Sequence, residues 1–331
     1  MMVLRVRRHS EVYNFTDREV NMKAVNKYLC YITIFFTTVS AQQNEIISNS
    51  NPLSIVSGFF NVKNEGIRLS TKMDGVHRVH LSFKNIRKEE IHTVTLYRSF
   101  NDMNYMNVLD RCVWPITKTV IRGSDFSETV IDSFVAQNTT YTYYAKVQLH
   151  NGSVLPSNIA TVSIPEILLP ATNLPVSLFI DKCNYFLEVC FKNTPVKRYP
   201  INLGIRPENR KLYLDRSSTP EGFYRADYIR PKTDYHKAIG ISYPNKTDKK
   251  RYNNALNRGA LPRNNGKYAA IGGSIQIHGG GIGNNWTWGC IAMRNDDLDE
   301  IFSLSGFGNG IPITIVGTEF TRDSIVSCDT M

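Results

Sequence analysis

The chain has 331 residues, enough for two domains of ordinary size, and 42% hydrophobic with 21% charged residues excludes wholesale disorder. No run reaches the ~20 apolar residues of an ordinary membrane span, and six cysteines are too few for a disulfide-dense scaffold. The formal net charge of +10 favours an acidic partner such as nucleic acid, a membrane surface or an anionic polymer.

Residues 1–41 have the pattern of a secretory signal with its start at Met22. Lys23 and Lys27 precede a short apolar run at 28–36, and small residues follow at 39–41. This pattern predicts export to the periplasm or cell wall, with cleavage after Ala41 and with 1–21 as an upstream extension. The alternative is a buried strand or short core helix, and retention of an uncleaved signal as an anchor stays open.

Removal of residues 1–41 takes away six basic and three acidic side chains and leaves a formal charge of +7. An exported protein meets little nucleic acid, so we expect no nucleic-acid partner. Anionic cell-wall polymers are a better match to the charge. Ordinary surface charge kept for solubility explains it equally well.

Residues 52–165 have the alternating pattern of a β-sandwich. The predicted strands are 77–83, 92–97, 141–149 and 157–164, and Asn151-Gly152 predicts a tight hairpin turn. Tyr141, Tyr143 and Ala145, which follow a turn at 133–140, resemble a fibronectin type III domain. Histidines are scattered on alternating strands, and exposed strand histidines explain them better than a metal site: His77, His80, His92 and His150. We therefore expect a spacer or binding module here.

A proline-rich linker at 166–175 separates the sandwich from a second predicted domain at 176–318, which a tail at 319–331 follows. The second domain is also mainly β. Its predicted strands are 177–181, 185–191 and 196–203, and its two short predicted helices are near 249–257 and 296–304. The fold class expected for the whole chain is therefore mainly β with a few short helices.

The chemistry of the sequence converges on Cys290. His278 ends an alternating strand, a glycine-rich loop follows, and Cys290 comes after Gly289 and just before a predicted helix that Asn295 caps. A helix start and a nearby imidazole favour a thiolate nucleophile. Gly289 allows close backbone approach, so its N–H and that of Cys290 are candidates for an oxyanion hole. An inert buried cysteine is the alternative for a random pair, and a zinc site lacks further ligands at suitable spacing.

Several segments together resemble the L,D-transpeptidase (YkuD-like) family over residues 175 to 317. They are His278-Gly279, the run Thr287-Trp288-Gly289-Cys290-Ile291-Ala292, the turn at 219–224 (TPEGFY) and the segment at 241–245 (ISYPN). The resemblance implies an acyltransferase that needs no cofactor and no metal. Its substrates would be peptidoglycan stem peptides, as donor and acceptor, and carbapenem-type β-lactams would inhibit it.

The resemblance also implies roles for individual residues. Cys290 would be the acylated nucleophile, His278 the general base, and the Gly279 carbonyl would orient the imidazole. The substrate-binding residues would be Thr287, Trp288, Arg294, Trp286 and Ser274. A second stem as acceptor would give a 3-3 cross-link, and water would make the protein an L,D-carboxypeptidase.

Two positions depart from the family pattern. Trp288 replaces the usual histidine, and Ala292 replaces the arginine that usually comes two positions after the cysteine. Arg294 is a candidate to supply the lost positive charge and contact a substrate carboxylate. An ordinary surface arginine near a helix start is the alternative.

Two other classes of protein are alternatives to an L,D-transpeptidase. A sortase-like enzyme also runs His, Cys, Arg but needs a longer separation from His to Cys. A non-catalytic wall-binding protein would have no reason to keep Cys290 reactive.

Outside the signal segment and Cys290, the chain holds Cys112, Cys183, Cys190 and Cys328, enough for two disulfides or for four reduced thiols.

Overall fold

The computed structural model describes residues 66–100, 116–214 and 217–322, together with the backbone of two short strands at 5–8 and 11–14. The predicted signal segment, Cys112 and Cys328 lie outside the described side chains. The two short strands, β1 (Arg5–Arg8) and β2 (Glu11–Asn14), pair antiparallel. No helix among the described residues is long and apolar enough to span a membrane.

The described part of the chain is mainly β, as predicted. The strands after β2, in chain order, are β3 (Arg68–Asp74), β4 (Arg78–Lys84), β5 (Ile91–Ser99), β6 (Ile116–Arg122), β7 (Thr129–Asp132), β8 (Thr139–Leu149), β9 (Val154–Pro156), β10 (Ala160–Ile164), β11 (Val176–Asp181), β12 (Phe186–Phe191), β13 (Thr194–Pro200), β14 (Gly222–Thr233), β15 (His236–Ile241), β16 (Arg263–Asn264), β17 (Lys267–Tyr268), β18 (Gln276–His278), β19 (Ile291–Ala292) and β20 (Pro312–Val316). The helices are α1 (Lys246–Asn257) and α2 (Asn295–Phe302), with single 3-10 turns at Lys88–Glu90 and Gly123–Asp125.

The first half of the described chain is a two-sheet sandwich. One sheet has the order β3-β4-β7, and the other has the order β10-β8-β5-β6 with β9 beside β8. Alternate residues of both sheets enter one apolar core, which includes Leu81, Val94 and Tyr143. Gly152, at a φ of +86°, makes the predicted turn between β8 and β9. The resemblance to a fibronectin type III domain stays a prediction.

The second half is built on one eight-stranded sheet with the order β13-β12-β11-β20-β14-β15-β18-β19. The two ends of this sheet meet, because Asn202 and Ala292 exchange two backbone hydrogen bonds of 2.9 Å each. The sheet therefore wraps around a second apolar core, which includes Leu187, Ile239, Ile277 and Ile291. The closing seam lies beside β19, and this is where the Cys290 segment runs.

Of the two helices, α1 begins at a capping signal in the sequence and α2 does not. Asn245 and Asp248 form a capping box at the start of α1, at 3.0 Å and 3.1 Å. For α2 the prediction of Asn295 as the cap is wrong: Arg294 is the N-cap residue and Asn295 is the first helical residue. The Asn295 side chain accepts a hydrogen bond from the Gly280 N–H at 2.9 Å instead, so it holds the glycine-rich loop.

The two halves are joined by buried polar contacts. The Gln137 side chain of the sandwich accepts from the Arg198 N–H at 2.7 Å, and the Arg198 guanidinium donates to the Ser133 carbonyl at 2.6 Å. Arg98 is 5% exposed and donates both to Asp132 and to the Asn184 carbonyl. These bonds fix the sandwich to the β12–β13 end of the second sheet.

Cys183 and Cys190 do not pair with each other. The hairpin register places Cys190 opposite Ser177, far from the turn that holds Cys183. Both are free thiols, and burial raises the pKa of Cys183 to about 11 and that of Cys190 to about 12. Of the two alternatives predicted for these cysteines, disulfides or reduced thiols, the structure shows reduced thiols at Cys183 and Cys190.

Candidate active site

Two short parallel strands bring Cys290 and His278 to the same sheet face. β18 and β19 pair with Ile277 beside Ile291 and with His278 beside Ala292. Cys290 immediately precedes β19, so it lies level with Gln276. Because side chains alternate, the two isoleucines enter the core and Cys290 and His278 project from the other face. They are diagonal neighbours, a relation in which Cα atoms of a sheet stand about 7–8 Å apart.

His278 has a defined tautomer in this structure. Its Nδ1 lies 2.7 Å from the Gly279 carbonyl oxygen. A carbonyl only accepts hydrogen bonds, so Nδ1 carries the proton and Nε2 keeps a lone pair. Burial lowers the pKa of His278, and the Gly279 carbonyl offsets part of that shift. The imidazole is therefore neutral at neutral pH, with Nε2 ready to accept a proton.

Two aromatic rings pack against the imidazole. Tyr235 lies 5.0 Å and Trp286 5.4 Å from it, and the two rings are 5.5 Å from each other, all between ring centroids. Tyr235 occupies the tip of the β14–β15 hairpin. His236 and Lys237 tie this tip to Asp299 of α2, at 2.5 Å and 2.6 Å. The hairpin tip thus supplies one wall of the site and holds the ring of His278 in place.

Cys290 sits on a turn that requires glycine before it. Gly289 has a φ of +112°, and a Cβ at that position would lie 2.4 Å from the Ser218 carbonyl oxygen. The Cys290 thiol is half-buried and donates to the Ser274 carbonyl at 3.8 Å. Burial raises the pKa of Cys290, while a backbone hydrogen bond from Gln276 and the charge of Lys211 lower it. The resting site therefore holds a thiol beside a neutral imidazole.

Buried polar side chains shape the loop between His278 and Cys290. The Thr287 hydroxyl donates to the Cys290 carbonyl at 2.6 Å and accepts from the Gly289 N–H at 3.3 Å. The Asn285 carboxamide accepts from the Leu203 N–H at 3.0 Å and donates to the Tyr185 hydroxyl at 3.0 Å. Thr287 therefore holds the turn that presents the thiol, and the hydrogen bond that the Gly289 N–H makes among the described residues is long.

The part of the chain that holds Cys290 and His278 matches a known protein family. The model of the L,D-transpeptidase catalytic domain, YkuD, matches residues 175–315. This stretch is a YkuD catalytic domain. The match covers the second sheet up to the last residue of β20, both helices and the Cys290–His278 pair, and it leaves the sandwich outside.

The relatives of the transpeptidase domain are distant. A 103-residue stretch is 32% identical to the "Putative L,D-transpeptidase YafK" of Escherichia coli K12, covering 30% of this chain and 32% of that protein, and the same values hold for Escherichia coli O157:H7. The chain thus spans about a third of the length of these curated relatives. Among solved structures, an L,D-transpeptidase of Xylanimonas cellulosilytica is 12% identical with a TM-score of 0.27, covering 44% of this chain and 63% of that one. The L,D-transpeptidase from Mycobacterium smegmatis is 13% identical with a TM-score of 0.27, covering 75% and 99%.

The segments 219–224 and 241–245, on which the family resemblance partly rests, stabilise the fold of the transpeptidase domain. Glu221, from the 219–224 turn, is fully buried and accepts from Lys182 at 2.8 Å and from the Phe320 N–H at 2.9 Å. Tyr243, from the 241–245 segment, donates to the Ile271 carbonyl at 3.2 Å and so holds the loop that leads to Ser274. Both segments support the site without contributing a reacting group.

Of the predicted substrate-binding residues, Arg294 contacts the sandwich and Trp288 is exposed. The Arg294 guanidinium donates to Asp297 at 2.7 Å and to the Asn138 carbonyl of the sandwich at 2.7 Å. Its Nη2 is buried and has no hydrogen-bond partner among the described residues. Trp288 is 65% exposed beside the Gly289 turn. The predicted substrate contact by Arg294 stays a prediction, and in this structure Arg294 joins the transpeptidase domain to the sandwich.

Two residues of this site have no signal in the sequence. Tyr235 precedes His278 by 43 positions, and only the β14–β15 pairing brings it to the imidazole. Lys211 lies in an irregular segment, yet its side chain is 1% exposed. Such contacts depend on the tertiary fold and leave no local pattern.

Within the described residues, no group of three His, Cys, Asp or Glu side chains has metal-binding geometry.

Proposed function

We propose that this chain is an exported cysteine L,D-transpeptidase that acts on peptidoglycan stem peptides through a thioester. The observation that carries the proposal is the placement of Cys290 and His278 on one face of two adjacent strands. The tautomer that Gly279 imposes on His278 leaves its Nε2 free to take the thiol proton. The YkuD match supplies the substrate class.

The acylation step follows from this geometry. The Cys290 thiol gives its proton to His278 Nε2, and the sulfur attacks the carbonyl carbon at the L-centre of the diamino acid in the donor stem. The proton then passes from the imidazolium to the leaving amine, D-Ala departs, and a thioester to Cys290 remains. The imidazolium that forms in between keeps its Nδ1–H bond to Gly279, so the base does not turn away.

The tetrahedral intermediate needs donors for its oxyanion. The Gly289 and Cys290 N–H groups are the candidates, because they belong to the turn that carries the thiol. The 3.3 Å bond from Gly289 to Thr287 is long, so the substrate oxygen can replace it at small cost. Thr287 would then position the oxyanion hole through its bond to the Cys290 carbonyl.

The acceptor decides between cross-linking and hydrolysis. An amine of a second stem would resolve the thioester as a 3-3 cross-link, and water would make the protein an L,D-carboxypeptidase. The rings of Tyr235 and Trp286 give the His278 side of the site an apolar wall. Such surface suits a stem peptide better than bulk water, which supports transfer to an amine.

The test uses intact mass of the full chain after incubation with a carbapenem and, separately, with a stem tetrapeptide. We expect one added acyl group on the wild type and none on Cys290→Ala. Product analysis with a second stem present would then separate a cross-linked dimer from a free tripeptide. A folded, reduced wild type that forms no adduct with either acyl donor would reject the transpeptidase in favour of a wall-binding protein.

Export is a separate proposal, carried by residues 22–41. Cells that express the full chain should contain a mature form that begins after Ala41 in the envelope fraction. N-terminal sequencing of that form checks the cleavage site. An uncleaved chain confined to the cytoplasm would contradict it.

A further inference from the structure

The imidazole of His278 needs a fixed orientation, because a general base works only where its lone pair meets the proton. His278 is 4% exposed, and the Tyr235 ring lies over it at 5.0 Å between ring centroids. Tyr235 is itself 50% exposed, because it stands on the hairpin tip, residues 233–236, between β14 and β15. The contacts that hold this exposed tip against the imidazole therefore matter for proton transfer.

The hairpin tip packs directly on the glycine that follows His278. The Gly279 N–H donates to the Lys237 carbonyl at 3.2 Å. A Cβ at Gly279 would lie 2.8 Å from the Tyr235 carbonyl oxygen and 3.0 Å from the His236 side chain. The Gly279 carbonyl fixes the His278 tautomer at 2.7 Å, so a movement of the tip would also displace the group that orients the base.

One carboxylate of α2 holds the hairpin tip in place. Asp299 Oδ1 accepts from His236 Nε2 at 2.5 Å and from Lys237 Nζ at 2.6 Å. The hydrogen bonds from Lys237 and His236 hold the pKa of Asp299 below its ordinary value. These two residues directly follow Tyr235 in the chain, so Asp299 fixes the backbone that carries the ring.

A second side chain of α2 supports the loop on which the tip packs. Asn295 lies four positions before Asp299, so the two side chains share one helix face. The Asn295 carboxamide oxygen accepts from the Gly280 N–H at 2.9 Å and would lie 2.5 Å from a Cβ at Gly279. The helix α2 therefore holds both the loop after His278 and the tip that covers the imidazole.

The contacts of Asp299 suit positioning better than stabilisation of the fold. Its side chain is 44% exposed, and ion pairs at such exposure contribute little to stability. His236 adopts a φ of +71°, which is uncommon for a residue with a side chain, so its bond to Asp299 holds a backbone shape that is unfavourable by itself. Without Asp299 we expect the domain to fold and the tip to leave the imidazole more often.

We propose that Asp299 is a positioning residue, which holds the Tyr235 ring on the His278 imidazole while Nε2 takes the thiol proton of Cys290. This inference rests on the proposed function and deepens it. Asp299 touches none of the reacting atoms and neither gives nor takes a proton. Its effect on acylation passes through Tyr235.

The first test measures acylation of the full chain by a carbapenem in stopped flow, over a range of drug concentrations. Asp299→Ala should lower the saturating rate about threefold, the size that one or two partly exposed ion pairs have on a conformational equilibrium. The half-saturating concentration should change less than the rate. Lys237→Met breaks the same contact from the hairpin side and should also slow acylation.

Two further variants separate positioning from a general effect of charge. Asp299→Glu keeps a carboxylate that can reach Lys237, and it should keep most of the rate. Asp296→Ala removes another exposed carboxylate from the same helix and should leave the rate unchanged. Circular dichroism checks that each variant is folded at the temperature of the assay.

A double-mutant cycle tests whether Asp299 acts through Tyr235. Tyr235→Leu removes the ring, so Asp299→Ala should cause no further loss of rate in that background. Two residues that act through the same contact give such non-additive effects, and independent residues give additive ones. A surface ion pair that only stabilises the domain would lower the rate equally in both backgrounds.

The second test does not depend on acylation of Cys290. Diethyl pyrocarbonate modifies neutral imidazoles, and peptide mass locates each modified histidine. His278 is almost fully buried beneath Tyr235, so Asp299→Ala should raise its rate of modification about threefold, the reverse of the loss in acylation. The exposed His92 of the sandwich is the internal standard and should not change.

The outcomes are distinct. Equal acylation rates for the wild type and Asp299→Ala would overturn the role of Asp299, as would equal modification of His278. An additive loss in the Tyr235→Leu background, or an Asp299→Glu variant as slow as Asp299→Ala, would overturn it too. A folded wild type that no acyl donor acylates would instead overturn the proposed function, and modification of His278 would still show whether Asp299 holds the tip.

Discussion

Replacement of Gly289 by alanine tests whether the turn before Cys290 is as tightly packed as the structure shows. The added Cβ would stand 2.4 Å from the Ser218 carbonyl oxygen and 3.3 Å from Ile275, at a φ of +112°. A non-glycine residue in that backbone region costs about 1–2 kcal/mol. Pushing apart a packed interior costs about a further 1–3 kcal/mol.

Gly281→Ala is the matched control, because Gly281 lies in the same loop at a φ of +92° with open space around its Cβ position. It carries only the backbone cost, so the two variants should differ by the steric part, about 1–3 kcal/mol. For a domain of this size that difference corresponds to about 2–12 °C in Tm. Thermal unfolding followed by circular dichroism measures both.

The activity readout is acylation of Cys290 by a carbapenem at a temperature where both variants are folded. Relief of the contact with Ser218 must shift the Gly289–Cys290 backbone, so Gly289→Ala should lose most of its acylation rate and Gly281→Ala should keep most of it. Equal melting temperatures would refute the steric argument. A stable and fully active Gly289→Ala would refute the inference that this turn positions the nucleophile.

Three further predictions follow from buried groups. Because burial lowers the pKa of His278, kcat/KM for acylation should start to fall only below pH 6.5, the range of a free histidine; an acid limb above that, in a stopped-flow pH series, would contradict it. Gln137→Ala leaves the Arg198 N–H and the half-buried Val76 carbonyl without the Gln137 side chain, so urea unfolding should show a loss of about 1–3 kcal/mol, against under about 0.5 for exposed Thr140→Ala. Tyr235→Leu removes the ring beside the imidazole, worth about 1 kcal/mol, and should slow acylation about fivefold while Tyr235→Phe does not; equal rates for all three would contradict it.

The strands and the neighbourhood of Cys290 and His278 could be predicted because their signals are local. Alternation along 141–149 indicated β8, which runs Thr139–Leu149. The predicted helix near 249–257 is α1, Lys246–Asn257, and its true start lies three residues earlier, at the Asn245 cap. Cys290 and His278 stood out because glycine-rich chain surrounds both. Each of these predictions uses residues that are neighbours in sequence, and such neighbours stay neighbours after folding.

The electrostatics of the site could not be predicted in the same way. From the sequence, Arg294 was the natural cation, since it lies four positions after Cys290. In the structure its guanidinium faces Asn138, which belongs to the sandwich and lies 156 positions away. Lys211 lies 79 positions before Cys290 in sequence, yet its charge lowers the pKa of Cys290. The charges around Cys290 depend on which segments, distant in sequence, pack together in the fold. A local sequence pattern does not show which segments these are.

The directions of the two pKa shifts have a joint consequence for the chemistry. Burial favours the neutral thiol at Cys290 and the neutral imidazole at His278, so the resting pair is uncharged. Proton transfer then creates a thiolate and an imidazolium together, and both must be stabilised inside a half-buried site. The Gly279 carbonyl raises the pKa of the imidazole, and the backbone hydrogen bond from Gln276 lowers that of the thiol, so both favour the charged forms. Each stabilising group therefore acts only when charge develops, and this lowers the barrier without holding a reactive thiolate exposed between turnovers.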